Sequence, residues 1–270
     1  MKIKAGSRTS TLAMWQAERV ADLFERAHPE ADVEIVGMQT LGDRIRDKPV
    51  PEIGGKGLKY AGSPARGTPA DAFVSHKWDA LSELPDDGIV ATGSRRRRAQ
   101  LSRYFPDVQF ENLRGNIGTR LEKLRDRGWD GIIMAATALE RLDKEELITE
   151  RLDPTDFVPA TGQGAIGIEV KEDRGDIQTM LADIWDTETV EACTAERIFM
   201  RRLEGGCSVP LGGYCRRENG TWAFYGWVGN QSGDRVLHER KSGNDPNRLA
   251  HQMSDEFIDR GADEILEEWR

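Results

Sequence analysis

Cysteine and histidine are scarce in this sequence, three of one and four of the other in 270 residues. Cys193, Cys207 and Cys215 are odd in number and lack metal-ligand spacing, and the histidines are scattered. Neither a disulfide framework nor a zinc centre is expected, and free thiols in a reducing compartment fit better. Long apolar runs are missing too. No window approaches the roughly 18 apolar residues of a membrane span, and the opening stretch MKIKAGSRTS has no apolar signal-peptide core. The expectation is a cytoplasmic protein with no membrane partner. Positive charge is also short: 38 Lys plus Arg against 47 Asp plus Glu give a net charge of −9. A general nucleic-acid binder needs a basic face to neutralise phosphates, so that class is disfavoured. Adaptation to salt is one reading of the acidity. The hydrophobic share of 38% is enough to fill the cores of two or three domains.

The pattern of what is present is that of an α/β protein. KIKAGS reads as a strand and STLAMWQAERVADLFERAHP as a helix capped by Ser10 or Thr11, with Ala13, Ala17, Val20 and Phe24 on one face. DVEIVGMQT is the next strand, so a parallel right-handed unit is expected. From residue 88 the pattern repeats three times: GIVAT before SRRRRAQLSRYFP, VQFENL before RGNIGTRLEKLRDRG, and GIIMAA before TALERL. This predicts a doubly wound domain. After VPATGQGAIGIEV come a helix through TVEACTAERIFMRRLEG, a hairpin of TWAFYGWVG and RVLHERKSG, and one long closing helix. That last block reads as a small α+β domain.

In open α/β sheets ligands bind beyond the carboxyl ends of strands, where helix N-termini offer free N–H groups. Three such junctions here carry arginine: Arg8 with Ser10, then Ser94 with Arg95 to Arg98, then Arg114 and Arg120. Guanidinium forks match carboxylates, and a shielded charge-assisted bond contributes about 1.5–3 kcal/mol. An isolated RRRR would read as a solvated first turn, although arginine there opposes the helix dipole. Three coincident junctions favour a site for a ligand with several carboxylates or phosphates.

Cys207 raises a separate question. A lone cysteine is usually a small buried hydrophobe, and Cys193, inside a helical pattern, fits that description. The LEGGCSVPLGGYC stretch instead surrounds Cys207 with glycine pairs that permit a sharp, open loop. With no histidine nearby, a covalent attachment point is at least as good a reading as a nucleophile that turns over.

Taken in order, SRTSTLAMWQAE, GGKGL, DAFVS, GSRRRRAQL, LRGNIGTRLEKL, PATGQGAIGIE and TAERIFMRRLEGGCSVPLGGY resemble the porphobilinogen deaminase (hydroxymethylbilane synthase) family of tetrapyrrole and heme biosynthesis. The resemblance implies two periplasmic-binding-protein-like, doubly wound lobes plus a small C-terminal α+β domain. The boundaries it suggests are 1–67 with 164–182, then 68–163, then 187–270. It implies a cytoplasmic, monomeric transferase that joins four porphobilinogen units into linear hydroxymethylbilane with loss of ammonia, primed by a dipyrromethane held on Cys207 through a thioether. Every pyrrole carries an acetate and a propionate, which gives the arginines a chemical reason. By the same resemblance Arg8, Ser10, Lys56, Ser94, Arg96, Arg97 and Arg114 would bind the cofactor, and Arg120, Arg141 and Gln163 the substrate.

One departure stands out. The family follows GGKGL with a helix and a strand ending in a histidine-serine-x-lysine-aspartate-x-proline motif, whose aspartate handles protons. Here GGKGLKYAGSPARGTPADAFVS runs almost directly into the next domain. On the order of 30 residues are missing, about the size of one βαβ unit. His76, Lys77 and Asp79 of VSHKWD offer a scrambled substitute, but their flanks belong to the domain-2 entrance, and no residue matches the family's catalytic aspartate. A non-catalytic binder of a pyrrole or other polycarboxylate is the alternative reading.

Overall fold

The computed structural model of the chain describes residues 1–38, 57–203 and 209–269. Its contacts divide into two compact units, Met1–Arg66 with Ala165–Val190 and Gly67–Gly164 with Glu191–Arg270.

In the first unit, strand β1 (Lys2–Arg8) leads into helix α1 (Thr11–Ala27) and strand β2 (Asp32–Met38), which pairs with β1 in parallel as expected. Ser10 caps α1, its hydroxyl accepting from Ala13 N at 3.4 Å. Strand β3 (Leu58–Gly62) pairs antiparallel with β9 (Ile168–Lys171). Among the described residues these are two separate two-stranded sheets. Both contribute to one core, where Phe24, Ala61, Val170, Ile177 and Leu181 are buried and Ile3 and Val33 are packed against them. An isolated strand pair is marginal in water, so this shared core and helix α5 (Gly175–Leu181) hold the two pairs.

The second unit holds a five-stranded sheet in the order β6-β5-β7-β4-β8. Its strands are β4 (Asp71–Val74), β5 (Ile89–Ala91), β6 (Gln109–Glu111), β7 (Gly131–Ala135) and β8 (Glu150–Arg151). The β5, β6 and β7 strands are mutually parallel, joined by helices α2 (Arg95–Tyr104) and α3 (Ile117–Asp126), while β4 and β8 complete a mixed sheet. Leu101 of α2 packs with Phe73, Val90 and Ile133, whereas Leu121 and Leu124 of α3 pack with Ala72, Val74, Ile132 and Met134. Successive strand residues thus feed two cores, with one helix over each face, which is the doubly wound arrangement. A short helix α4 (Ala136–Glu140) follows β7 directly.

The C-terminal part has one more strand than the sequence suggested. Helix α6 (Thr187–Arg202) is followed by strands β10 (Leu211–Glu218), β11 (Thr221–Gly229) and β12 (Val236–Gly243) in a three-stranded antiparallel sheet. LGGYCRRE had no clean period-2 pattern, because five successive residues of β10 are buried. One face of this sheet packs with Phe199, Met253 and Phe257. The other presents Tyr214, Tyr225 and Trp227 to Ala99 of α2 and to Val158. The expected long closing helix is two, α7 (Pro246–Asp259) and α8 (Ala262–Glu267), because Gly261 takes φ +83° and ends the first.

The chain passes between units at Arg66/Gly67, Gly164/Ala165 and Val190/Glu191, and at the first two Gly67 N donates to Gly164 O at 3.0 Å. Gly164 has φ +89°, and a Cβ on it would meet the carbonyl oxygens of Gly67 and Thr68 at 2.6 Å. Backbone atoms cannot step aside as a side chain can. Gly164→Ala is therefore expected to destabilise the protein by more than about 2 kcal/mol in denaturant titration. Gly128→Ala, at φ +64° with nothing within 4 Å, is the control and costs only about 1 kcal/mol for the dihedral. Equal losses at the two positions would show that the close approach at Gly164 is not a constraint.

Candidate functional site

The parallel strands place the ligand edge. From β5 the chain turns to β6 on one side and then to β7 on the other, so the switch point lies outside the carboxyl ends of β5 and β7. Strand β4 runs antiparallel to β7, with Asp71 opposite Ala135 and Val74 opposite Ile132, so its first residue, Asp71, reaches this same edge. Ser94 caps α2 there, accepting from Arg97 N at 3.4 Å, and Asn116 caps α3, accepting from Thr119 N at 2.9 Å.

The four arginines at the start of α2 divide into separate roles. Arg95 turns to the C-terminal helix end, donating to Trp269 O at 2.5 Å and lying over the Trp269 ring. Arg98 donates to Asn112 Oδ1 at 2.8 Å. Arg96 is buried at 3% exposure, donating from Nη1 to Val158 O at 2.8 Å, while its Nη2 lies 2.7 Å from Asp71 Oδ2. Its Nε is buried and has no hydrogen-bond partner among the described residues. Arg97 donates from Nε to Asp71 Oδ1 at 2.9 Å and pairs with the same oxygen through Nη2 at 2.7 Å. The run is therefore not a solvated first turn.

Asp71 is fully buried between these two arginines. Burial pushes its carboxyl up, but the charges of Arg96 and Arg97 and their hydrogen bonds outweigh this and hold it below the ordinary aspartate value. Gln163 joins the cluster, its amide donating to Pro69 O at 2.6 Å and to Asp71 Oδ1 at 3.0 Å. Arg141 is buried too and donates to Gly164 O at 2.6 Å. Arg120 donates to Gly115 O at 2.8 Å, and its pKa is lowered by burial and by the nearby charge of Arg97.

Of the residues singled out by sequence, Ser94, Arg96, Arg97, Arg120, Arg141 and Gln163 all belong to the second unit, and Arg96, Arg97 and Gln163 meet around Asp71. Arg114 is exposed beside them in sequence, at the start of α3. Arg8 and Ser10 belong to the first unit, where Ser10 is spent on the helix cap. Cys207 and Lys56 lie outside the described residues. His76 and Asp79 are exposed, and Lys77 pairs with Asp130 at 3.0 Å and donates to Gly128 O at 2.7 Å. That group follows the last residue of β4, so it sits at the opposite edge of the sheet from Asp71.

Two acids escaped the sequence reading. Asp71 is one; the other is Glu196 on α6, buried and accepting from Gly162 N at 2.6 Å and from Cys215 N at 2.9 Å. Glu196 thereby ties the 161–164 turn to β10. Both lie inside recognisable motifs, DAFVS and TAERIF, but only the strand order reveals what they face.

The family model described as porphobilinogen deaminase, dipyromethane cofactor binding domain, matches residues 3–61 and 56–179, and that for the porphobilinogen deaminase C-terminal domain matches residues 190–259. The chain belongs to the porphobilinogen deaminase family. Porphobilinogen deaminase of Staphylococcus carnosus is 36% identical over 300 aligned positions, covering 98% of this chain and 97% of the relative. That of Chromobacterium violaceum is 38% identical over 299, again covering 98% and 97%. The 300 positions against 270 residues leave at least 30 with no counterpart here, and the cofactor-domain match breaks and resumes at residues 56–61. That break falls at the start of β3, in the unit whose strands form two separate pairs.

The charge cluster has a stability signature. Removing one partner of a buried ion pair leaves the other uncompensated, so Arg96→Met is expected to cost about 3 kcal/mol, against less than about 0.5 for the exposed Arg114→Ala. Asp71 has a depressed folded pKa, so its contribution is complete above the unfolded value of about 3.9 and is lost as pH falls through the folded one. The difference in denaturation midpoint between the wild type and Asp71→Asn should be level from about pH 5 to 8 and close below about pH 4. A difference that grows in acid would contradict the ionised assignment.

Proposed function

We propose that this chain is a hydroxymethylbilane synthase, a transferase that joins porphobilinogen units into a linear tetrapyrrole with release of ammonia, working as a cytoplasmic monomer on this small substrate with no nucleic-acid or membrane partner. The family match over nearly the whole chain carries the proposal. The arginine-lined sheet edge supports it chemically. Among the described residues no helix is long and apolar enough to cross a membrane. The non-catalytic alternative is not favoured by relatives that are named porphobilinogen deaminase. The division into 1–67 with 164–182, 68–163 and 187–270 is retained as part of this reading.

The donor set fits a polycarboxylate cofactor: a buried guanidinium Nε on Arg96 with no partner among the described residues, the edge of the Arg97 guanidinium that is not on Asp71, with contacts of 3.4 Å, and Arg120 within reach of the charge of Arg97. In the second unit Ser94, Arg96, Arg97 and Arg114 would hold dipyrromethane, with Arg120, Arg141 and Gln163 binding substrate; in the first, Arg8, Ser10 and Lys56 have the binding role. When bound, dipyrromethane supplies the pyrrole terminus to which new units are joined. Cys207 is the proposed attachment point. Cys193 and Cys215 are poorly suited, at 4% and 1% exposure.

Proton handling is where this chain departs from its relatives. Asp71 is held ionised by two arginines, so it has no proton to give near neutral pH. Lys77 and Asp79 sit at the wrong edge of the sheet. A positioned general acid or base contributes about 10²–10⁴-fold, so conversion of porphobilinogen should fall short of the Staphylococcus carnosus relative by about that factor.

The test is a porphobilinogen turnover assay with intact-mass and peptide mapping. The native chain should carry its dipyrromethane adduct on Cys207 and on neither other cysteine. Inserting the relative's missing segment between Tyr60 and Ala61, after the GGKGL motif, should restore both cooperative unfolding and turnover. The same insertion with its motif aspartate changed to alanine should restore unfolding alone. Full turnover by the unmodified chain, abolished by Asp79→Ala, would relocate the acid–base group to the loop after β4.

A further inference from the structure

The carboxyl edge of the five-stranded sheet contains one buried carboxylate to which the family match assigns no role. We infer that Asp71 is a positioning residue for ligand binding: it is the fixed counter-charge that holds the Arg97 guanidinium where it meets a ligand carboxylate. The inference rests on the function proposed above.

The geometry separates the two arginines that Asp71 serves. Arg96 is a strut, buried at 3% exposure and tied to Val158 O at 2.8 Å as well as to Asp71. Arg97 is engaged firmly on one side only. Its Nε and Nη2 meet Asp71 Oδ1 at 2.9 and 2.7 Å, while its other contacts, Nη1 to Ile133 O and Nη2 to Gln163 Oε1, are both 3.4 Å. Contacts of that length are weak and readily exchanged, so the guanidinium is held by Asp71 and keeps donor capacity on its remaining edge.

The anchor itself cannot move with the arginine. Asp71 O accepts from Leu152 N at 2.9 Å, Ala70 O accepts from Ala136 N at 3.0 Å, and Asp71 stands in register with Ala135 of β7. Its carboxylate is also gripped by Gln163 at 3.0 Å. Charge supplies the need for such an anchor. Arg96 and Arg97 are consecutive cations in the first turn of α2, where the helix dipole opposes them, and Arg120 lies close enough to feel the charge of Arg97. Without Asp71, these repulsions turn the Arg97 side chain away towards water. With it, the Arg96–Asp71–Arg97 cluster keeps one net positive charge for an incoming carboxylate.

A double-mutant cycle on the full chain without its cofactor, read by calorimetric titration with porphobilinogen, whose acetate and propionate are those of a dipyrromethane ring, tests the inference. Asp71→Asn should raise Kd about tenfold, Arg97→Met should raise it at least as much, and the double variant should bind no more weakly than Arg97→Met alone, the non-additivity expected of a residue acting through its neighbour. Effects that multiply, or an Asp71→Asn variant that binds like the wild type while melting earlier, overturn the positioning role in favour of a purely structural one. Should Asp71→Asn fail to fold, the comparison is repeated as Arg96→Met against Arg96→Met with Asp71→Asn, which keeps the charge of the cluster at its native value. The expected result there is again a Kd raised about tenfold by the loss of Asp71, and equal affinities overturn the inference. Failure of the wild type to bind porphobilinogen overturns the proposed function as well, whereas binding with a multiplicative cycle overturns only the role of Asp71.

Discussion

A carboxylate with no exposed surface stands between two consecutive arginines, and the ligand edge of the second unit is arranged around it. A buried charge is tolerated only when it is paired and its lone pairs are used. Asp71 is paired with Arg96 through Oδ2 and with Arg97 through Oδ1, and Oδ1 also accepts from Gln163. Each partner brings its own segment of chain: the start of α2 through the arginines, the 159–164 segment through Gln163, and Pro69 through the same amide. Two of the three stretches of chain that pass between units therefore lie near one ionic cluster within the second unit.

Around that cluster the remaining polar groups are spent on holding backbone. Gln100 exchanges two hydrogen bonds with Val158, Arg141 takes Gly164 O, and Glu196 takes the N–H groups of Gly162 and Cys215. Backbone that is neither helix nor sheet needs such partners when it is buried. The sheet of the C-terminal part closes the arrangement by packing Tyr214, Tyr225 and Trp227 against Ala99 and Val158. The carboxyl edge of the sheet is thus held by fixed partners, and groups already fixed in place lower the ordering cost of binding in general.

The two units differ in their sheets. Arg96, Arg97, Arg120 and Arg141 belong to the unit with the five-stranded sheet, while the break in the cofactor-domain match at 56–61 falls in the other unit. There the described strands form two pairs on one small core. Asp71 is a poor proton donor near neutral pH, because its interactions with Arg96 and Arg97 keep it ionised.

The family, the α/β class, most helix starts and the arginine junctions were all legible in the sequence, since each depends on residues close together in the chain. Ser10 and Ser94 cap the helices they precede, and parallel pairing of β1 with β2 follows from strand–helix–strand order. What lay beyond that reading depends on partners far apart. Strand β10 was missed because burial on both faces removes the alternation that marks a strand, and the division of the last helix turns on the backbone dihedral of one glycine, Gly261. The sequence alone determined that arginines crowd the strand ends. Only the tertiary structure decided that Arg96 is buried against Val158 and Asp71, that Arg97 pairs with the same carboxylate, and that the VSHKWD group lies at the far edge, because all three depend on β4 running antiparallel beside β7 and bringing Asp71 to the arginines.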